Sequence, residues 1–191
     1  SGYAGSGKDL FCGILGKMID IKRYALADEL KLDIRSQILD SHNIDILDCS
    51  RQEKDSIRHL LVEYGTEKRK ITNGRYWVDK LNEKILPVKE SICITDVRYA
   101  EYEHDEAQWI KDDLGGYLVW IDQYKVDPNE GARVMNLAPN KAESLNGPRL
   151  RGYADYIIEW EYTKDKGILY HHVEKFIAWL HEREKRRLQA D

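Results

Sequence analysis

The sequence has little that would suit an extracellular, membrane or nucleic-acid-binding protein. Its three cysteines, Cys12, Cys49 and Cys93, are odd in number and lack paired metal-ligand spacing, which predicts reduced thiols rather than disulfides or a zinc site. No apolar run approaches the roughly 18 residues that span a bilayer, and no signal peptide precedes the first motif. With 30 basic and 34 acidic residues, the formal net charge of -4 gives no overall positive field to attract a nucleic acid backbone. We therefore expect a soluble, cytoplasmic protein whose partners are small molecules, and we leave a homodimer open.

The apolar patterning predicts one α/β domain. A chain of 191 residues suits a single domain with a full core. Apolar residues at helical spacing alternate with short, uncharged, β-branched runs that suit strands buried in a parallel sheet. Gly65 follows the third helical pattern and predicts a C-terminal cap. This alternation predicts a three-layer fold in which a mostly parallel central sheet is flanked by helices. The predicted helices cover about 10–18, 28–39, 57–64, 77–85, 107–110 and 168–180, and the predicted strands cover 91–95, 117–121 and 156–158.

Between Asp122 and Arg151 this patterning fails. Prolines, glycines and cations accumulate there, and a loop of that length inside a compact domain is usually functional or disordered. We predict an irregular lid over 122–151, in which Arg133 is a candidate contact to a bound nucleotide.

The start of the chain carries a phosphate-loop motif: Gly2, four residues, then Gly7-Lys8. Glycines let successive N–H groups turn onto one phosphate, the following helix adds its positive N-terminal end, and the lysine bridges the outer phosphates. Asp9 stands where serine or threonine is expected, and a carboxylate beside a triphosphate has to face a metal ion or its water shell. The motif therefore predicts ATP and Mg²⁺, with Asp9 as a metal ligand. The predicted nucleotide-binding residues are Ala4, Gly5, Ser6, Gly7, Lys8 and Asp9.

A phosphate loop normally follows a central β-strand. The given sequence starts within the loop, so we expect a first strand ahead of Ser1 that this sequence does not include.

Two further segments predict a site for a second phosphorylated molecule. One runs from Arg58 to Arg69, where a helical pattern ends in polar groups. The other, Asp96-Val97-Arg98, follows a predicted strand at the edge where ligands bind in parallel sheets. The planar fork of arginine binds phosphate oxygens bidentately. Trp77 and Tyr64 are candidates for stacking on a base, although a tryptophan at helical spacing is also typical of a core.

The order and spacing of these motifs resemble the bacteriophage deoxynucleoside monophosphate kinase family. The resemblance is carried by GYAGSGKD, LLVEYGTEKR with YWVDKL, ITDVRY and GGYLVWI, which spread over residues 2–121. That family also has aspartate directly after the loop lysine. The chain departs from the family pattern after Ile121, where an arginine is usual and Asp122-Gln123 stands instead.

The resemblance implies a P-loop kinase fold that transfers the γ-phosphoryl group of ATP to a deoxynucleoside 5′-monophosphate, with an acceptor-binding helical region over about 28–86. By position it implies catalytic roles for Lys8 and Asp9 on the ATP side, and for three residues on the acceptor side. It also implies an acidic residue shortly after Asp96-Val97-Arg98 (the DVR block), where Glu101 and Glu103 are both near the expected place. The three acceptor-side catalytic residues are Arg69, Asp96 and Arg98. The predicted acceptor-binding residues are Arg58, Tyr64, Gly65, Thr66, Glu67, Arg69, Trp77, Asp96, Arg98 and Glu103.

Two other functions fit the same motifs. Transfer between phosphate groups needs positioning and cations more than acid–base groups, so a P-loop kinase for another phosphorylated metabolite would need the same residues. A non-catalytic or GTPase-like nucleotide-binding module is the second alternative. It is suggested by the superficial likeness of 113–116 (DLGG) and 140–143 (NKAE) to GTPase signatures, although the second lacks its final aspartate.

Overall fold

The computed structural model describes residues 1–163 and 167–190. Helices and strands alternate along the chain, which confirms the predicted α/β class. In chain order the elements are α1 (Lys8–Met18), β1 (Ile21–Tyr24), α2 (Leu26–His42), α3 (Arg51–Ile71), α4 (Arg75–Ile85), β2 (Ser91–Ile94), α5 (Glu106–Gln108) with a π-helical turn (Trp109–Asp113), β3 (Val119–Val126), β4 (Arg133–Met135), α6 (Lys141–Tyr153), β5 (Tyr156–Glu161) and α7 (Gly167–Ala190).

The described strands form two small sheets rather than the one central sheet that was predicted. In the first sheet β1 pairs with β2 in parallel. In the second, β3 lies between β5, its parallel neighbour, and β4, its antiparallel neighbour. The predicted strands over 91–95, 117–121 and 156–158 correspond to β2, β3 and β5. The sequence did not predict β1, because its Lys22 and Arg23 are exposed and interrupt the apolar run of an edge strand.

Three apolar clusters hold these elements together. The first joins α4 to β3 and the π-helical turn, and Leu81 at its centre is fully buried. The second packs α1 and α7 against β3 and β5, with Leu169 and Ile158 inside. The third joins α2 to α3 through Ile38 and Ile57. Each such side chain contributes about 1.5–3 kcal/mol by its removal from water, so α1 and the start of β3 are held on a rigid base.

A largely apolar cleft of about 620 Å³ separates the two sheets. Ile92 and Ile94 of β2 line it on one side, and Val119 and Ile121 of β3 on the other. At one end of the cleft, the Ser1 amine donates to the Val119 carbonyl (2.7 Å), and the Ile121 amide donates to the Ser1 carbonyl (3.0 Å). This is the hydrogen-bond pattern of a parallel neighbour of β3.

The C-terminal cap predicted at Gly65 is wrong. α3 begins with a capping box, in which the Ser50 hydroxyl accepts from the Glu53 amide and the Glu53 carboxylate accepts from the Ser50 amide. It then continues past Gly65 to Ile71. Gly65 is buried in the helix interior, where an added Cβ would lie 2.6 Å from Leu30 Cδ1. The glycine there serves close packing of α2 on α3 and does not end the helix.

The irregular loop predicted over 122–151 is also wrong in part. β3 extends to Val126, β4 forms a hairpin with it, and α6 occupies most of the remainder with Pro148 inside the helix. Asn140, from the motif that superficially resembles a GTPase signature, is the N-cap of α6 and accepts from the Glu143 amide at 2.9 Å. That this segment acts as a lid stays a prediction.

Within the described residues, no helix is both long enough and apolar enough to cross a membrane. The three cysteines are free thiols, of which Cys12 is buried whereas Cys49 and Cys93 are only half-buried.

Candidate functional site

The phosphate-loop motif forms a tight turn at the N-terminus of α1. The Ser6 amide donates to the Tyr3 carbonyl (3.1 Å), and Gly7 is the N-cap of α1 with φ of 91°. A side chain at Gly7 would be strained in this left-handed conformation, and its Cβ would lie 2.6 Å from Trp160 Cζ2. The Trp160 indole N–H donates to the Ser6 carbonyl at 2.8 Å. Trp160 of β5 therefore holds the turn in place, next to the N-terminal amides of α1.

Lys8 places its ammonium group over this turn. Its Nζ donates to the carbonyls of Gly2 and Tyr3, both at 2.8 Å. Burial, together with the nearby Arg98 guanidinium, lowers the pKa of Lys8 to about 8. A lysine whose charged form is disfavoured in this way gains more from an anionic partner than an exposed lysine does.

The sequence motif predicts that this turn binds phosphate, and the lowered pKa of Lys8 then predicts that the phosphate affinity falls as the pH rises through about 8. Below that pH Lys8 carries the charge that an oxyanion needs, and above it the lysine is neutral. A bound anion raises the pKa again, so binding near pH 8 should take up a proton. Calorimetric titration of inorganic tripolyphosphate at pH 7 to 9.5, in buffers of different ionisation enthalpy, measures both effects.

Lys17→Met is the matched control, because Lys17 is an exposed lysine on the same helix. It should keep the pH dependence. A tripolyphosphate affinity that is flat across pH 8 in the wild type would contradict the assignment of Lys8 to the phosphate site.

Asp9 lies at the exposed rim of the loop. Its carboxylate is 3.3 Å from Arg23, which also pairs with Asp28 at 3.2 Å. No group of three or more histidine, cysteine, aspartate or glutamate side chains in the described part of the chain could hold a metal ion. A single exposed carboxylate fits Mg²⁺ nonetheless, since Mg²⁺ usually keeps several waters and binds one or two carboxylates plus substrate phosphates. The metal role of Asp9 stays a prediction.

Asp96 caps α2. Its Oδ1 accepts from the Leu26 amide at 2.8 Å and its Oδ2 accepts from the Ala27 amide at 2.7 Å. Burial raises the pKa of Asp96, while these two hydrogen bonds favour its ionised form. The carboxylate thus fixes the start of α2 beside the phosphate loop, at the edge of β2 where the sequence predicted a site.

Arg98 reaches the phosphate loop through Glu143. Arg98 Nη1 donates to Glu143 Oε1 at 2.8 Å, and the Ala4 amide of the loop donates to Glu143 Oε2 at 2.8 Å. Glu143 is only 8% exposed. The structure therefore brings together Ala4, Lys8, Asp96 and Arg98, all of them predicted site residues.

Arg69 lies in a buried ion-pair cluster. The guanidinium is 5% exposed and makes two 3.0 Å hydrogen bonds to Asp105. Glu106 is 3.5 Å away, and the Tyr99 ring centroid is 3.5 Å from the guanidinium carbon. Burial, with Asp105 nearby, raises the pKa of Glu106 to about 8, although Arg69 opposes this shift. Arg69 thus ties the end of α3 to the segment after β2, and its predicted contact with an acceptor stays a prediction.

Glu106 also holds the backbone that carries Arg98. Its Oε2 accepts from the amides of Arg98 (2.6 Å) and Tyr99 (3.1 Å). Glu101, one of the two candidates for the acid after the DVR block, lies 3.5 Å from Arg69. Glu103, the other candidate, is exposed in the turn.

Trp77 and Tyr64 lie in the helical region, apart from the loop. Trp77 is 4% exposed and donates to the Gly65 carbonyl at 3.2 Å, so it belongs to the core. The Tyr64 hydroxyl donates to Asp33 at 2.7 Å. A base that stacked on Trp77 would first have to displace its neighbours.

Other predicted contacts also lie elsewhere. Arg58, Thr66 and Glu67 line a shallow groove on the outer face of α3, and Arg58 pairs with Asp55. Arg133 is exposed on β4, 3.9 Å from Glu159. The structure does not bring these four residues to the phosphate loop, and any part they play in binding stays a prediction.

Sequence reasoning missed Glu143, Asp105 and Glu106. Asp105 and Glu106 belong to an acidic run after the DVR block that reads as an exposed turn. Glu143 lies in 140–143 (NKAE), the segment that superficially resembles a GTPase signature, and that likeness does not predict a contact with the loop. No local pattern distinguishes these buried acids from solvated ones, since Arg69 lies 36 and 37 residues from Asp105 and Glu106, and Ala4 lies 139 residues from Glu143.

Comparisons of this chain with protein-family models, with curated proteins and with solved structures find no match. The resemblance to the phage kinase family therefore depends on the sequence motifs alone.

Proposed function

We propose that this protein is a P-loop kinase that transfers the γ-phosphoryl group of ATP to a deoxynucleoside monophosphate. The observation that carries the proposal is the glycine turn at the N-terminus of α1, with the Lys8 ammonium over it. A turn of inward-facing amides, a helix N-terminus and one lysine is the arrangement that binds the outer phosphates of a nucleoside triphosphate.

The residues around the loop suit transfer between two phosphate groups. An acceptor phosphate is already ionised near neutral pH, so the reaction needs cations and alignment more than a base. Lys8 supplies a cation on the donor side, and Arg98 supplies a forked cation within reach of the loop through Glu143. Asp96 joins the segment before Arg98 to the start of α2, and Glu106 accepts hydrogen bonds from the backbone amides of Arg98 and Tyr99. These residues would hold both phosphates in line.

Asp9 is the residue that would hold Mg²⁺ at the rim of the loop. The ion would neutralise negative charge on the phosphates during transfer. Arg23, which contacts Asp9 and Asp28, would then lie at the edge of the metal site.

The deoxynucleotide assignment is tested by acceptor specificity. We expect ATP-, Mg²⁺- and protein-dependent release of ADP with at least one deoxynucleoside monophosphate in a coupled assay. The panel also contains ribonucleoside monophosphates and phosphorylated metabolites without a base. Turnover with those metabolites alone would make the nucleotide assignment wrong. Tight GTP binding without ATP turnover would favour the nucleotide-binding module instead.

A further inference from the structure

Glu143 occupies an anion position in the phosphate loop. Its carboxylate accepts from the Ala4 amide and from Arg98, both at 2.8 Å, and from the Asn140 side-chain amide at 3.2 Å. Backbone amides and arginine are also the donors that bind phosphoryl oxygens. A carboxylate on such donors therefore stands where a phosphoryl oxygen would bind.

We infer that Ala4 and Arg98 form an oxyanion subsite for the terminal phosphoryl group of a triphosphate, and that Glu143 fills this subsite until a phosphate displaces it. The inference rests on the proposed function. Two anions cannot share one amide and one guanidinium at hydrogen-bond distance without strong mutual repulsion. The Glu143 side chain is 10% exposed and the Arg98 side chain is 44% exposed, so solvent screens that repulsion only in part.

The first turn of α6 is largely exposed around Glu143. Lys141, Ala142 and Ser144, its neighbours in that turn, are exposed. Leu137, in the connection from β4, is 86% exposed. Few apolar contacts therefore hold this turn, and such segments open at low free-energy cost.

The rest of α6 is firmly attached. Leu150 is 2% exposed, and Gly147 lies so close to Tyr3 that an added Cβ would be 2.4 Å from its ring. Displacement of Glu143 would thus move the start of α6 and leave its end in place. It would also release Arg98 from its carboxylate partner, so that its guanidinium can bind the phosphate instead.

The test measures the affinity of inorganic tripolyphosphate for the wild type and for Glu143→Gln by calorimetry at pH 7. Glutamine keeps the size of the side chain and one of its two acceptor oxygens, and it removes the competing charge. We expect Glu143→Gln to bind at least about tenfold more tightly than the wild type. Glu130→Gln, at an exposed glutamate before β4, is the matched control and should change the dissociation constant less than about twofold, because exposed charges are screened.

A second measurement follows the Ala4 amide by ¹⁵N–¹H NMR. Its signal should differ between the wild type and Glu143→Gln before titration, and should move in both proteins when tripolyphosphate saturates them. Equal or weaker tripolyphosphate binding by Glu143→Gln, or an Ala4 signal that tripolyphosphate leaves unmoved, would overturn the subsite. Glu143→Ala replaces Glu143→Gln if the latter does not fold.

These results separate the subsite from the kinase assignment. Tighter binding by Glu143→Gln without turnover of any deoxynucleotide would support the subsite and reject the kinase. Deoxynucleotide turnover with no gain in affinity on Glu143→Gln would support the kinase and reject the subsite.

Discussion

Replacement of Lys8 by alanine is expected to lower the rate of phosphoryl transfer by at least about 100-fold. The ammonium group is the cation nearest the turn, bonded to the Gly2 and Tyr3 carbonyls. The variant should nevertheless fold. Burial and Arg98 lower the pKa of Lys8 to about 8, so the folded protein disfavours its charged form and removal of that charge should leave the melting temperature unchanged or higher. Single-turnover rates and calorimetric melting of the same preparations measure both effects.

Lys17→Ala, at the other end of α1, is the control for this experiment and should behave as the wild type. A phosphoryl-transfer rate in Lys8→Ala equal to that of the wild type would contradict the role of Lys8 in the reaction. Absence of phosphoryl transfer in the wild type itself would favour a structural or assembly protein that retained the fold.

Replacement of Arg69 by methionine is expected to destabilise the fold by about 3–5 kcal/mol. The substitution leaves Asp105, which is fully buried, and Glu106, which is 3% exposed, without their cation. The loss should grow as the pH rises. Because burial raises the pKa of Glu106 to about 8 in the folded state, stability already falls as the pH rises from the ordinary carboxyl range towards 8. Loss of Arg69 would raise that pKa further, so the fall in stability would continue to higher pH. Urea unfolding at pH 5.5 and pH 8.5 gives the two free energies.

Arg58→Met is the comparison on the same helix, where the arginine is exposed and pairs with the exposed Asp55. It should change the free energy of unfolding by less than about 0.5 kcal/mol. If Arg69→Met unfolds like the wild type but loses affinity for the acceptor, the guanidinium serves substrate rather than the buried cluster, as the resemblance implied.

The elements that were predicted correctly are those that depend on residues close together in the sequence. The turn from Gly2 to Lys8 and the helix after it follow from glycine spacing and a 3.6-residue apolar period, and both lie where expected. The strand over 91–95 was recognisable as an uncharged β-branched run. Gly65 was misread because glycine ends helices and also permits close helix packing, and only the contact with Leu30 distinguishes the two.

Local sequence patterns are enough to predict the α/β alternation, the glycine turn before α1 and the position of Asp96 and Arg98 after a strand. The ion pairs of the arginines could be identified only from the folded chain. Arg69 pairs with Asp105 within the core, and Arg98 pairs with Glu143, which also accepts from the Ala4 amide. Tertiary structure also decided that the described strands form two sheets on either side of an apolar cleft. This difference arises because turns and helices depend on neighbours a few residues apart, whereas ion pairs and sheet edges depend on how distant elements pack.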